Sequence, residues 1–96
     1  MGSVPLFFEM CITRAEFLRL LPVAVGHEAW RIDGDDIAAE GAQASWRLRL
    51  DEMPGRPFGP VRLPVLGVTL DVGQVPDAQR AAFLRRFHLG FQRAGG

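Results

Sequence analysis

The chain has 96 residues, with 11 basic and 11 acidic side chains, so its formal net charge at pH 7 is zero. That length supports a single domain over residues 1-96 with one hydrophobic core, and the charge balance removes bulk attraction to nucleic acid or to an anionic membrane. A composition of 48% hydrophobic and 23% charged residues is that of a globular chain, and no apolar run approaches the ~18 residues needed to span a bilayer.

In chain order, Leu6, Phe8, Met10 and Ile12 share one face of an extended segment, and Phe7, Glu9 and Cys11 the other. Alternation with aromatic and branched residues predicts a strand from about Val4 to Ile12. Both of its faces are fairly apolar, which predicts a place in the interior of a sheet or a cover over its second face. Thr13-Arg14-Ala15-Glu16 is a capping box. The helix it opens puts Phe17, Leu18, Leu21, Ala24 and Val25 on one face and points Arg19 away. Pro22 is expected to end or kink that helix near Leu21, with Gly26 as its final stop.

From His27 the pattern becomes two-residue alternation, with Trp30 and Ile32 set against Arg31 and Asp33. Asp33-Gly34-Asp35-Asp36 predicts a hairpin turn leading to a strand through Ile37 and Ala39. After a small-residue loop over 41–45, Trp46, Leu48 and Leu50 are predicted to face inward and Arg47, Arg49 and Asp51 outward. Residues 52–60 (EMPGRPFGP) hold three prolines and two glycines and are expected to be a loop. Beyond them Val61, Leu63 and Val65 share one parity, and Val68, Leu70 and Val72 the other. A bulge near Leu66-Gly67, or a break before a separate strand, would reconcile the two sets.

The last helix opens at Val75-Pro76-Asp77, with Asp77 as N-cap and Gly95 as stop. Phe83, Leu84, Phe87, Gly90, Phe91 and Ala94 form an arc roughly 120° wide at ~100° per residue, the predicted core face. Across the helix, Arg85, Arg86 and Arg93 surround Leu89 and Ala82.

The expected fold is α+β: a two-layer sandwich with an antiparallel sheet of four to five strands and two helices on one face, in the order β-α-β-β-β(-β)-α. In element order this resembles the unit found in TATA-binding-protein-like and helix-grip domains. The likeness is one of architecture and rests on no sequence motif.

The chain lacks Lys, Asn and Tyr, a bias that a GC-rich bacterial coding sequence produces, so arginine here stands for any basic residue. The single cysteine, Cys11, allows no internal disulfide and is expected in a reducing cytoplasm. The first residues have no basic start and are interrupted by Glu9, a poor match to a secretory signal. Cys11, His27 and His88 lack metal-ligand spacing, and the Asp33–Asp36 run lacks that of a calcium loop. No hydroxyl or thiol sits in a nucleophile elbow.

The expectation is therefore a non-enzymatic cytoplasmic module, without cofactor or metal, that binds a protein partner or a second copy of itself. The surface predicted to do so is Arg85, Arg86, Leu89 and Arg93, with Arg47 and Arg49 as an extension. Nucleic acid and membrane are not expected partners. The alternative is a helix-grip-like binder of a small apolar ligand between the sheet and the last helix, lined by Trp30, Trp46, Phe87 and Phe91.

Overall fold

The computed structural model of the chain describes residues 5–26, 29–40 and 45–92. In chain order the elements are β1 (Leu6–Met10), α1 (Arg14–Ala24), β2 (Trp30–Asp33), β3 (Asp36–Ala39), β4 (Arg47–Phe58), β5 (Val61–Asp71) and α2 (Asp77–Gln92). The five strands form one antiparallel sheet in the order β1-β5-β4-β3-β2. The expected α+β order is thus the observed one, and both helices join the sheet in a single core.

The strand registers fix which side chains share a face, because residues directly opposite in a ladder point the same way. Leu6, Phe8 and Met10 stand opposite Leu70, Val68 and Leu66, while Leu48 and Leu50 flank the same residues from β4. Ile37 and Ala39 continue this row, and the set packs against Phe17, Leu21 and Ala24 of α1 and Phe87 and Phe91 of α2. Trp46 is buried and Trp30 half-buried on this side, but Ile32, on the edge strand β2, is 48% exposed. Arg47, Arg49 and Asp51 are exposed on the opposite, open face, as their parity predicts.

At the start of α1 the Glu16 amide donates to the Thr13 hydroxyl at 3.1 Å, while the Glu16 carboxylate lies 3.9 Å from Arg19. Thr13→Ala should cost about 1 kcal/mol of unfolding free energy through the lost cap. Chemical denaturation checks this, and a neutral result would mean that other groups already satisfy the first turn. Pro22 does not end α1. The helix runs on to Ala24, and the Val25 amide still reaches the Leu21 carbonyl at 3.0 Å. Ala24 and Val25 are both buried, so core packing holds the turn that Pro22 weakens. Gly26, with φ of 76°, then turns the chain as predicted.

Three further expectations are corrected. Among the described residues β1 is an edge strand, bonded on one side only, to β5. Residues 52–58 are strand rather than loop: β4 and β5 run past the rest of the sheet as a two-stranded arm turning at Gly59-Pro60. Neither β1 nor β3 pairs with this arm, so its prolines withhold no N–H that a third strand requires. The register step falls on β4, where Met53 faces Val65 and Arg56 faces Leu63, and not near Leu66-Gly67 on β5. The arm helps give the molecule its elongated extents of 46 × 26 × 25 Å.

Val61, Leu63 and Val65 accordingly lie on the open face. Val65 is buried yet stands outside the main core, and Phe7 and the Met53 sulfur crowd over its neighbour Gly67. In α2, Asp77 is the first helical residue rather than the cap and pairs with Arg80 at 3.1 Å. The predicted stop, Gly95, and residues 41–44 of the small-residue loop predicted over 41–45 lie outside the described residues.

Candidate functional site

The phenylalanine face of α2 sets the orientation of everything on its back. Phe87 and Phe91 are buried, and Phe91 stacks on Phe17 of α1 with ring centroids 4.6 Å apart and planes 9° apart. Phe83 and Leu84 are only half-buried, so the core face narrows toward the start of α2. The two helices touch at Gly90 and Ala24: a Cβ placed on Gly90 would lie 2.6 Å from the Ala24 Cα.

This close crossing leaves a groove of about 520 Å³ along the outer side of the pair, lined by Leu20 and Val23 of α1 and Ala82, Arg85, Arg86 and Leu89 of α2. Leu89 is 61% exposed and Val23 59%. Arg85 and Arg86 are exposed on the same side, and the Arg86 guanidinium reaches over Gly26 at the end of α1. Three of the predicted residues, Arg85, Arg86 and Leu89, are therefore brought together; Arg93 lies outside the described residues.

Val23 and Leu20 are the members that sequence reasoning missed. Their three-residue spacing, off the Phe17, Leu21 and Ala24 face, was the available signal. They form part of an apolar run that reads as core, and only the helix crossing shows which side stays uncovered.

Arg14, Arg19, Arg49, Arg56 and Arg80 each have a carboxylate within 4 Å. The groove's two arginines, Arg85 and Arg86, are among those with no ion pair; Arg31, Arg47 and Arg62 likewise have no carboxylate within 4 Å among the described residues. No protein family, curated protein or solved structure matches the chain. What its surface can do is therefore read from its own geometry.

The open sheet face carries one cross-strand ion pair at its predicted arginines. Arg49 holds Asp36 at 3.0 Å, and Arg47 stands opposite Asp71 in register. Arg47 and Arg49 are thus on a different layer from the α1–α2 groove and do not extend it. Cys11 is half-buried with an Arg56 nitrogen 3.8 Å from its sulfur, and the Thr13 hydroxyl is occupied by its cap. Among the described residues no three His, Cys, Asp or Glu side chains are grouped to hold a metal ion, and no helix is long and apolar enough to cross a membrane. His88 meets Phe8 edge-on at 5.1 Å, at the border of the core. Between the sheet and α2, Trp46, Phe87 and Phe91 are each at most 1% exposed and pack into the core cluster.

Proposed function

We propose that this chain is a non-enzymatic protein-interaction module of the bacterial cytoplasm, docking its partner in the groove between α1 and α2. The observation that carries this reading is the pair Leu89 and Val23, both well exposed, beside two arginines with no carboxylate of their own among the described residues. Interfaces combine an apolar centre with an arginine-rich margin, and an exposed guanidinium selects for carboxylates. The partner that fits is a protein segment presenting one apolar anchor between acidic side chains. The anchor fills the Val23–Leu89 gap while Arg85 and Arg86 engage the acids.

The test places a photo-reactive residue at Ala82, on the groove wall, since the chain has no lysine for amine cross-linking. Cross-linked segments from native lysate should be acidic around an apolar residue. In the Leu89→Asp, Arg86→Glu double variant, capture should fall by at least about tenfold with the circular dichroism spectrum unchanged. Equal capture by the folded variant, or capture of segments without acidic residues, rejects the assignment.

A further inference from the structure

A strand at a sheet edge exposes a row of backbone N–H and C=O groups, and proteins shield such rows with charges, prolines, bulges or short length. The two edges of this sheet differ in that respect. β2 is four residues long, with Arg31 and Asp33 among them. β1 reads Leu6-Phe7-Phe8-Glu9-Met10, with no proline and no register break against β5. Its one charge, Glu9, is held by Arg56 at 3.3 Å.

The helix-side flank of that edge is apolar, and the open face presents Phe7 beside Glu9. On the open face Phe7 is 56% exposed, although its ring also covers Gly67. On the helix side Leu6 and Phe8 are half-buried, and Phe8 packs beside His88, one turn beyond the half-buried Leu84 of α2. Four apolar residues in five, two of them aromatic, fit an interior strand better than an edge, and β1 carries them at an edge position.

We propose that β1 becomes interior by pairing with β1 of a second copy, joining two five-stranded sheets into one continuous sheet across a two-fold axis. The strands run antiparallel with the axis at Phe8. Leu6 then stands opposite Met10 of the other copy, Phe8 opposite Phe8, and Phe7 opposite Glu9. A second copy fits because the segment complements itself in this register. The helix-side apolar row meets the same row reversed, and on the open face each Phe7 lies against the Glu9 that Arg56 holds at 3.3 Å. No like charges are opposed. Pairing consumes both exposed β1 edges, and the charged β2 edges remain at the two ends, so assembly stops at the dimer.

Sedimentation equilibrium at rising concentration tests this with the intact chain. The wild-type mass should climb from 10.6 kDa toward twice that value. Phe7→Glu places like charges opposite each other twice in the dimer and should stay at single-chain mass. Phe7→Arg loses the same contact with Gly67 but faces Glu9 of the other copy, so it should remain dimeric. Leu89→Asp, in the helix groove, should leave the dimer intact, which makes this interface independent of the docking surface proposed above.

Amide hydrogen exchange provides a second reading that needs no variant. All N–H groups of Leu6–Met10 should be protected, with protection that grows with protein concentration. The proposal is overturned by a wild-type chain of single mass throughout, by β1 amides that exchange freely at alternate positions, by a Phe7→Glu variant that still dimerises, or by a dimer that Leu89→Asp dissolves.

Discussion

Phe91→Ala should lower the free energy of unfolding by about 4 kcal/mol, as expected for removal of a fully buried aromatic side chain. The Phe91 ring is 1% exposed, stacked on Phe17 at 4.6 Å and set edge-on to Phe87 at 5.0 Å. Each such aromatic pair adds roughly 0.5–1.5 kcal/mol beyond burial, and both are lost together. A domain of this size is stable by about 5–15 kcal/mol in total, so this one ring accounts for a large part of the margin. In urea the transition midpoint should fall with little change in slope, whereas a loss under about 1 kcal/mol would show that the end of α2 repacks over the gap.

The consequence reaches the surface. Leu89 sits two residues before Phe91 on the same helix, and the Phe17–Phe91 stack joins α1 to α2, the two helices that form the groove. Phe91→Leu keeps the site apolar and refills most of the gap but gives up both ring contacts, so it should cost about 1–3 kcal/mol, less than Phe91→Ala. Partner capture should therefore survive Phe91→Leu and weaken with Phe91→Ala, even at temperatures where both remain folded.

The features legible in the sequence are those set by local periodicity and turn chemistry. Thr13 caps α1, Asp33 to Asp36 turns a hairpin, Trp46, Leu48 and Leu50 face the core, and Phe87 and Phe91 are buried. Each depends on residues a few positions apart, within reach of the helix and strand repeats. Sheet order is another matter. β1 pairs with β5, some sixty residues away, and nothing within Leu6–Met10 specifies that its second side is left open.

The arm was hidden for a related reason. Prolines argue against a strand only where a neighbour needs their N–H, and beyond Met53 there is one neighbour instead of two. Val23 was hidden because its exposure depends on how α2 crosses α1. The candidate site was thus half readable. The arginines and Leu89 follow from the period of one helix, while the α1 wall of the groove exists only through a contact between two.

That contact yields the second large effect, and its sign opposes what helix propensity alone predicts. Gly90→Ala would stabilise an isolated helix by about 1 kcal/mol. In this fold the new methyl carbon would sit 2.6 Å from the Ala24 Cα, 2.7 Å from its Cβ and 3.0 Å from its nitrogen. Carbon atoms in good contact lie about 3.5–4.0 Å apart, and two of these three neighbours are backbone atoms that no side-chain rotation can move. The helices must separate, loosening the buried phenylalanine packing beneath them. Overpacking of this kind costs about 1–3 kcal/mol, and with two backbone contacts in the clash the upper half of that range outweighs the propensity gain. Gly90→Ala should therefore be less stable than wild type by about 1 kcal/mol, and Gly90→Val by more. Adding Ala24→Gly relieves only the 2.7 Å contact, because the Cα and nitrogen of residue 24 remain in place. Ala24→Gly alone costs up to about 1 kcal/mol of helix propensity, so the relief should show as a favourable coupling between the two positions in a double-mutant cycle. A Gly90→Ala protein as stable as wild type would mean that the helices do not cross this closely, and the groove framed by Val23 and Leu89 would lose its geometric basis.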